Sequence, residues 1–192
     1  MTRYIAFLRA INVGGHTVTM QELRALFEAL GFSRVETFIA SGNVIFESDD
    51  EDAAALERGI EAHLRARLGY DVVTFLRTDA EVAAIARYRA FDDALMPSAI
   101  TLNVAFLHAP LGTKEKRLLA DFQTGIDDFH AHGREMYWLC RTRQSDSTFS
   151  NAKFEKALGV RTTFRGVKTV ARLAAKYSPM ERDGGPARGS HR

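Results

Sequence analysis

The chain repeats itself, and this internal repeat constrains the fold more than any other feature of the sequence. The run Tyr4-Ile-Ala-Phe-Leu-Arg-Ala10 returns as Val104-Ala-Phe-Leu-His-Ala109. The run Leu68-Gly-Tyr-Asp-Val-Val-Thr-Phe-Leu-Arg-Thr78 returns as Leu158-Gly-Val-Arg-Thr-Thr-Phe-Arg165. Because both echoes occur in the same order, they indicate a tandem duplication of a unit of roughly a hundred residues, far longer than the repeats of solenoid proteins.

In the first half, hydrophobic periodicity and turn residues predict alternating strands and helices. Thr19 and Glu22 have the spacing of a helix capping box, and Thr78 and Glu81 have the same spacing further on. Gly42 lies in a short connection typical of a hairpin. The predicted elements are a strand at 4–8, a helix from Thr19 to a stop at Gly31, strands at 35–39 and 44–46, a helix at 52–68, a strand at 71–76 and a helix ending near Tyr88.

The second half repeats this order of elements. The predicted elements are a strand at 100–107, a helix at 114–122, strands at 126–130 and 135–139, a helix at 151–158, a strand at 161–164 and a helix at 167–177. The order is that of the split βαβ arrangement. We therefore predict an α+β fold with two ferredoxin-like units in tandem, each extended by one helix. The units are expected at 1–97 and 98–177, and the Gly- and Pro-containing segment 178–192 is expected to be a disordered tail.

Composition limits the classes of function. The 26 basic and 24 acidic side chains give a net charge of +2, so no strong overall field favours nucleic acid or anionic lipid. Cys140 is the single cysteine, which rules out an internal disulfide and fits a reducing compartment. The apolar run near the N-terminus is too short for a signal-peptide core, and no stretch reaches membrane-spanning length. These features predict a cytoplasmic protein without a membrane partner.

Topology predicts a ligand-binding surface in the first unit. The loop after the first strand, from Ile11 to Val18, exceeds the roughly 2 to 6 residues usual for such connections, whereas its counterpart in the second unit is short. In a split βαβ unit this loop and the following hairpin lie at the same end of the sheet. Backbone N–H groups, a helix N-terminus and an arginine there would favour an anion. The predicted ligand-binding residues are Arg9, Asn12, Gly14, Gly15, Ser41, Gly42 and Asn43.

The sequence also resembles a known family. The run Leu8-Arg-Ala-Ile-Asn-Val-Gly-Gly15, the run Ser41-Gly-Asn-Val-Ile-Phe-Glu-Ser48 and the later Ser150-Asn-Ala152 are similar to the bacterial domain of unknown function 1697 family. The resemblance covers nearly everything before the tail. It implies a two-part α+β fold in a cytosolic bacterial protein and implies no established activity.

Two departures from the family pattern define a second candidate patch. Ser147-Thr148-Phe149 stands where the family commonly has Ser-Lys-Leu, and Arg165-Gly-Val-Lys-Thr169 stands where it commonly has Arg-Asn-Trp-Asn-Thr. If these segments bind something in relatives, this chain binds it differently or not at all. The residues of the second candidate patch are Ser147, Asn151, Arg165 and Thr169.

Other constellations favour ordinary structural roles. His130 and His132 would share a strand face, but no third metal ligand is evident. Lys168, Arg172 and Lys176 would stripe one face of the last helix, a pattern typical of a solvated surface. No phosphate-binding loop, zinc spacing or nucleophile elbow occurs, so the sequence identifies no cofactor and leaves enzymatic activity open.

Three classes of function stay open at this level. The first is a binder, or an enzyme, for a small anionic or phosphorylated molecule at the Gly-Gly loop and the Ser-Gly-Asn turn. The second is an RNA-binding protein, since RNA-recognition domains share the ferredoxin-like sheet. The third is a structural or regulatory interaction module. Architecture alone does not separate them, because this fold carries many unrelated functions.

Overall fold

The computed structural model describes residues 1–12, 14–39 and 42–177. The predicted tail at 178–192 and the predicted site residue Ser41 lie outside the described residues. Both halves follow the predicted order of elements. The first half contains β1 (Thr2–Leu8), α1 (Met20–Glu28), β2 (Ser33–Thr37), β3 (Asn43–Ser48), α2 (Ala53–Leu68), β4 (Thr74–Thr78) and α3 (Asp79–Arg87). The second half contains β5 (Thr101–Phe106), α4 (Thr113–Ala120), β6 (Asp127–His132), β7 (Glu135–Cys140), α5 (Asn151–Leu158), β8 (Thr163–Gly166) and α6 (Val167–Tyr177).

Each half forms one four-stranded antiparallel sheet. The strand orders are β2-β3-β1-β4 and β6-β7-β5-β8, so equivalent strands occupy equivalent places. The registers also correspond, since Ile5 pairs with Ile45 and Val104 pairs with Tyr137 in the central strand pairs. The chain is therefore an α+β protein in which the second half repeats the topology of the first, as a duplication would produce.

The helices begin where the sequence predicts. Thr19 and Glu22 form a reciprocal capping box at the start of α1, and Thr78 and Glu81 form one at the start of α3. Gly69 ends α2 in the left-handed conformation that glycine adopts without steric cost. These hydrogen bonds join residues close in sequence, which is why the sequence alone predicts them.

Two predicted strands end too early. The expected strands at 71–76 and 161–164 in fact continue through Arg77 and Arg165, because their backbones pair with β1 and β5. Each strand also begins later than predicted, at Thr74 rather than at residue 71 and at Thr163 rather than at residue 161. Both guanidinium groups are buried, and every nitrogen of each one donates at least one hydrogen bond.

The second face of each sheet is covered by the other half. Along β1, Ala6 and Leu8 pack under α1 and α2, whereas Ile5 and Phe7 point the opposite way. Phe7 stacks on Phe106 of β5 at 3.8 Å between ring centroids. This shared core, flanked by α3 and α6, explains why the central strands are apolar on both faces.

Candidate functional site

The loop after β1 and the turn before β3 lie side by side at one end of the first sheet. The Leu8 N–H donates to the carbonyl oxygen of Gly42 at 2.8 Å. Within the loop, Asn12 Oδ1 accepts from the Val18 N–H at 2.7 Å. Gly14 and Gly15 are exposed and have left-handed φ angles of 70° and 86°. Hydrogen bonds thus hold the base of the loop, whereas its tip is exposed to solvent.

Arg9 joins this end of the first sheet to the second half. Its Nη2 lies 2.8 Å from Oε2 of Glu155 on α5, and its Nε donates to Oε1 of the same carboxylate at 3.2 Å. Glu155 Oε1 also accepts from the Thr162 N–H at 2.7 Å and from Asn151 Nδ2 at 3.4 Å. The Arg9 side chain is 30% exposed, and its Nη1 makes no hydrogen bond within the described ranges.

Arg165 lies directly beneath the β2–β3 turn. Its Nε donates to Asn43 Oδ1 at 2.6 Å, and its Nη2 donates to the carbonyl oxygens of Leu8 at 2.9 Å and Gly42 at 3.1 Å. Its Nη1 donates to Thr163 Oγ1 and to the Phe164 carbonyl oxygen. Burial lowers the pKa of Arg165 to about 10, so the group is still charged at neutral pH. Among residues 1–12, 14–39 and 42–177, no carboxylate pairs with it.

The two patches predicted separately from the sequence therefore share one region of the molecule. Arg165 of the second patch bonds to Asn43 of the first, and Asn151 reaches Arg9 through Glu155. Ser147 and Thr169, the other two residues of the second candidate patch, make no hydrogen bond to the first patch in the part of the chain that the structure describes. Ser147 donates to the buried Asp127 carboxylate at 2.9 Å, which also accepts from Trp138 Nε1. Thr169 lies half-buried in the first turn of α6.

Arg77 is the counterpart of Arg165 in the duplication, and sequence reasoning missed its role. Its Nη2 donates to the carbonyl oxygens of Leu107 at 2.8 Å and Arg134 at 2.9 Å, which end the equivalent strand and turn of the second half. Its guanidinium lies over the Phe106 ring at 5.4 Å, as that of Arg165 lies over Phe7 at 5.8 Å. Each half thus inserts an arginine into the other. The aligned arginines of the second sequence echo were the signal available for finding this pair.

The two arginines differ in their counterion. Arg77 Nε donates to Glu135 Oε1 at 2.7 Å, whereas the residue at the same place beside Arg165 is Asn43, which is neutral. Burial lowers the pKa of Arg77, and the Glu135 carboxylate partly offsets that effect. The buried positive charge of Arg165 is therefore not neutralised by a neighbouring carboxylate, whereas that of Arg77 is.

The remaining candidates have local partners. His130 hydrogen-bonds to the Tyr88 hydroxyl at 2.9 Å and His132 stacks on the Tyr88 ring at 3.9 Å, while burial lowers the pKa of His130. Within the described part of the chain, no group of three or more His, Cys, Asp or Glu residues could hold a metal ion. Arg172 lies over the ring of Phe38, the residue after β2, at 5.1 Å, so the basic stripe is partly engaged with the first half. None of the described helices combines the length and apolarity needed to cross a bilayer.

The fold and the polar region between its halves define an α+β protein with two halves of the same topology and an interlocking pair of buried arginines. The chain belongs to the family described as protein of unknown function (DUF1697), whose sequence model matches residues 1–137. A solved structure described as the conserved bacterial protein SP0830 from Streptococcus pneumoniae is similar, with a TM-score of 0.69 and 23% sequence identity. The similarity covers 91% of this chain and 97% of that one, and at this identity it shows a shared fold. None of the curated proteins matches the chain significantly.

Proposed function

We propose that the protein binds a small anionic or phosphorylated molecule at the end of the first sheet, beside Arg9, Gly14, Gly15 and the β2–β3 turn. The observation that carries this proposal is the Arg165 guanidinium, which is 8% exposed and has no carboxylate partner in the described ranges. An uncompensated buried charge is costly. A bound anion would offset that cost, because the attraction between its negative charge and Arg165 is stronger in the protein than in water.

Other groups of the loop after β1 suit such an anion. Gly14 and Gly15 are exposed, and nothing lies within 4 Å of the positions that their Cβ atoms would take. A ligand can therefore approach their backbone closely. Arg9 adds the free Nη1 donors of a partly exposed guanidinium. The charges on Arg9, Arg165 and Glu155 leave a net positive charge at this end. At the equivalent end of the second half, Arg77 is neutralised by Glu135.

We also infer that each half is a ferredoxin-like unit and that the boundary lies near residue 97. The strand order β2-β3-β1-β4, repeated as β6-β7-β5-β8, supports this inference, as does the shared order of helices. In RNA-recognition domains one face of such a sheet carries the bases. Here that face contains Phe7 and Phe106, both fully buried against each other. The anion-binding function is therefore preferred over RNA binding.

The proposal is tested by giving Arg165 a carboxylate partner within the protein. Asn43→Asp would place a carboxylate beside Arg165, as Glu135 stands beside Arg77, with almost no change of shape. Binding of inorganic phosphate and of a panel of phosphorylated and carboxylated metabolites is measured by calorimetry and by ¹H–¹⁵N NMR. We expect the wild type to bind at least one of them, with shifts at Gly14 and Gly15. Asn43→Asp should weaken that binding about tenfold, which corresponds to about 1.4 kcal/mol.

The matched control is Gln144→Glu, which adds the same charge at an exposed position of the second half. It should bind the anion as the wild type does. Thermal unfolding of each variant establishes that the fold is retained. An empty panel, or equal binding by wild type and Asn43→Asp, would refute the proposed function.

A further inference from the structure

A cavity of about 460 Å³ lies in the second half, between the loop after β5 and the connection from α5 to β8. Its volume falls within the roughly 300 to 1,000 Å³ typical of small-molecule sites. The walls include the buried apolar side chains of Leu107, Leu111 and Leu158, together with Val160. The residues that line the cavity are different from those of the anion site proposed above.

In the first half the same place is occupied by the protein itself. The His16 ring stacks on Tyr70 with 3.9 Å between ring centroids and an interplanar angle of 22°. The Tyr70 hydroxyl donates to the carbonyl oxygen of Ile11 at 2.8 Å, which fastens the long loop to the connection between α2 and β4. Ile11 and Val18 of this loop are buried. The first-half site thus holds two stacked planar rings, of which Tyr70 is half-buried and His16 is exposed.

The duplication shows what the second half lacks. Gly69 and Gly159 both end their helices in the left-handed conformation, so the residues that follow them, Tyr70 and Val160, occupy equivalent positions. Val160 has no ring, and the shorter loop of the second half has no residue in the place of His16. The space that a pair of rings takes up in one half is open in the other.

One basic group at the cavity, Arg161, suits an anion. Arg161 is exposed and has no ion-pair partner in the part of the chain that the structure describes. His108 Nε2 donates to the carbonyl oxygen of Thr74 at 3.0 Å, so Nδ1 of the neutral ring is an acceptor and gives a carboxylate no donor. The Glu115 carboxylate lies over Gly112 at the cavity wall, so an anion would have to bind on the side of Arg161. An anion paired with Arg161 would gain a charge-assisted hydrogen bond.

From this comparison we propose that the cavity binds a small planar aromatic carboxylate. The ring would lie against Leu111 and Val160, in the place that the His16 and Tyr70 rings take in the first half. The carboxylate would bond to the guanidinium of Arg161. The proposal does not depend on anion binding at the first-half site.

Benzoate and its neutral analogue benzamide are suitable probes, followed by ¹H–¹⁵N NMR at millimolar concentration. Benzoate should shift the amides of residues 107–112 and 158–161 and should leave those of residues 14–17 unchanged. Val160→Tyr restores the ring found in the first half and should abolish binding by filling the cavity. Arg161→Gln should weaken benzoate about tenfold and leave benzamide unchanged, as expected for loss of one charge-assisted hydrogen bond.

The matched control is Arg24→Gln, which removes an exposed arginine from α1 in the first half and should leave both affinities unchanged. Three results would overturn the proposal. They are absence of any shift at residues 107–112 and 158–161 in the wild type, undiminished benzoate binding by Val160→Tyr, and equal loss of benzoate and benzamide affinity in Arg161→Gln.

Discussion

At the scale of single residues, the two buried arginines determine how the halves are held together. A guanidinium carries five N–H donors, and both Arg77 and Arg165 direct them at carbonyl oxygens and side chains around the end of the opposing central strand. Hydrogen bonds from all three nitrogens make burial of such a group tolerable. The two sites differ in charge, because the Glu135 carboxylate neutralises Arg77 and the Asn43 amide does not neutralise Arg165.

Removing the Glu135 carboxylate should be strongly destabilising. Glu135→Ala leaves Arg77, which is 1% exposed, without its counterion. Breaking a buried pair in this way costs about 3 kcal/mol or more in the free energy of unfolding. Urea denaturation of the full chain measures the loss. In the control, Glu28→Ala breaks the exposed pair with Arg24 and should cost about 0.5 kcal/mol or less. A loss below about 1 kcal/mol for Glu135→Ala would contradict this account of Arg77.

At the scale of elements, the connection between β2 and β3 is short but packs tightly against its neighbours at Gly42. Gly42 has a φ of 71°, and its carbonyl oxygen accepts from both the Leu8 N–H and Arg165 Nη2. A Cβ atom at this position would stand 2.8 Å from Ile11 Cγ2 and 3.2 Å from Leu8 Cβ. The turn therefore closes tightly on the end of β1 and on the loop that follows it.

We expect Gly42→Ala to destabilise the protein by about 2 to 4 kcal/mol, because left-handed strain and a steric clash add together. Gly31→Ala is the matched control. Gly31 has a φ of 84°, but nothing lies within 4 Å of the position that a Cβ atom would take there, so only the strain of about 1 kcal/mol is expected. Thermal or urea unfolding of both variants gives the comparison. Equal losses for the two would show that the turn does not pack as closely as the structure indicates.

At the scale of the whole molecule, the two halves share one core. Ile5, Phe7, Ile45 and Phe75 of the first sheet are at most 2% exposed, and the second half covers them together with α3 and α6. Burying side chains of this size contributes about 1.5 to 3 kcal/mol each. Their sum is comparable to the roughly 5 to 15 kcal/mol by which whole domains are stable. Each half thus depends on its neighbour.

A fragment of residues 1–97 should therefore not behave as an independent domain. With its inner sheet face exposed, we expect it to self-associate and to bind a hydrophobic dye, and to lose the cooperative unfolding of the full chain. Analytical ultracentrifugation, dye fluorescence and urea denaturation test these expectations. The full chain measured under the same conditions is the control. A monomeric fragment that unfolds cooperatively would show that the first half is stable by itself.

The sequence alone determined the capping boxes at Thr19 and Thr78 and the order of elements that both halves share, because these depend on contacts between near neighbours and on repeated patterns. It also indicated that the loop after β1 and the β2–β3 turn lie at the same end of a sheet. The tertiary structure decided the rest. Arg9 bonds to Glu155 and Arg165 bonds to Asn43 across more than a hundred residues of chain, and no local pattern encodes such pairs. They exist because packing the two sheets face to face brings the last strand of each half beneath the turn of the other.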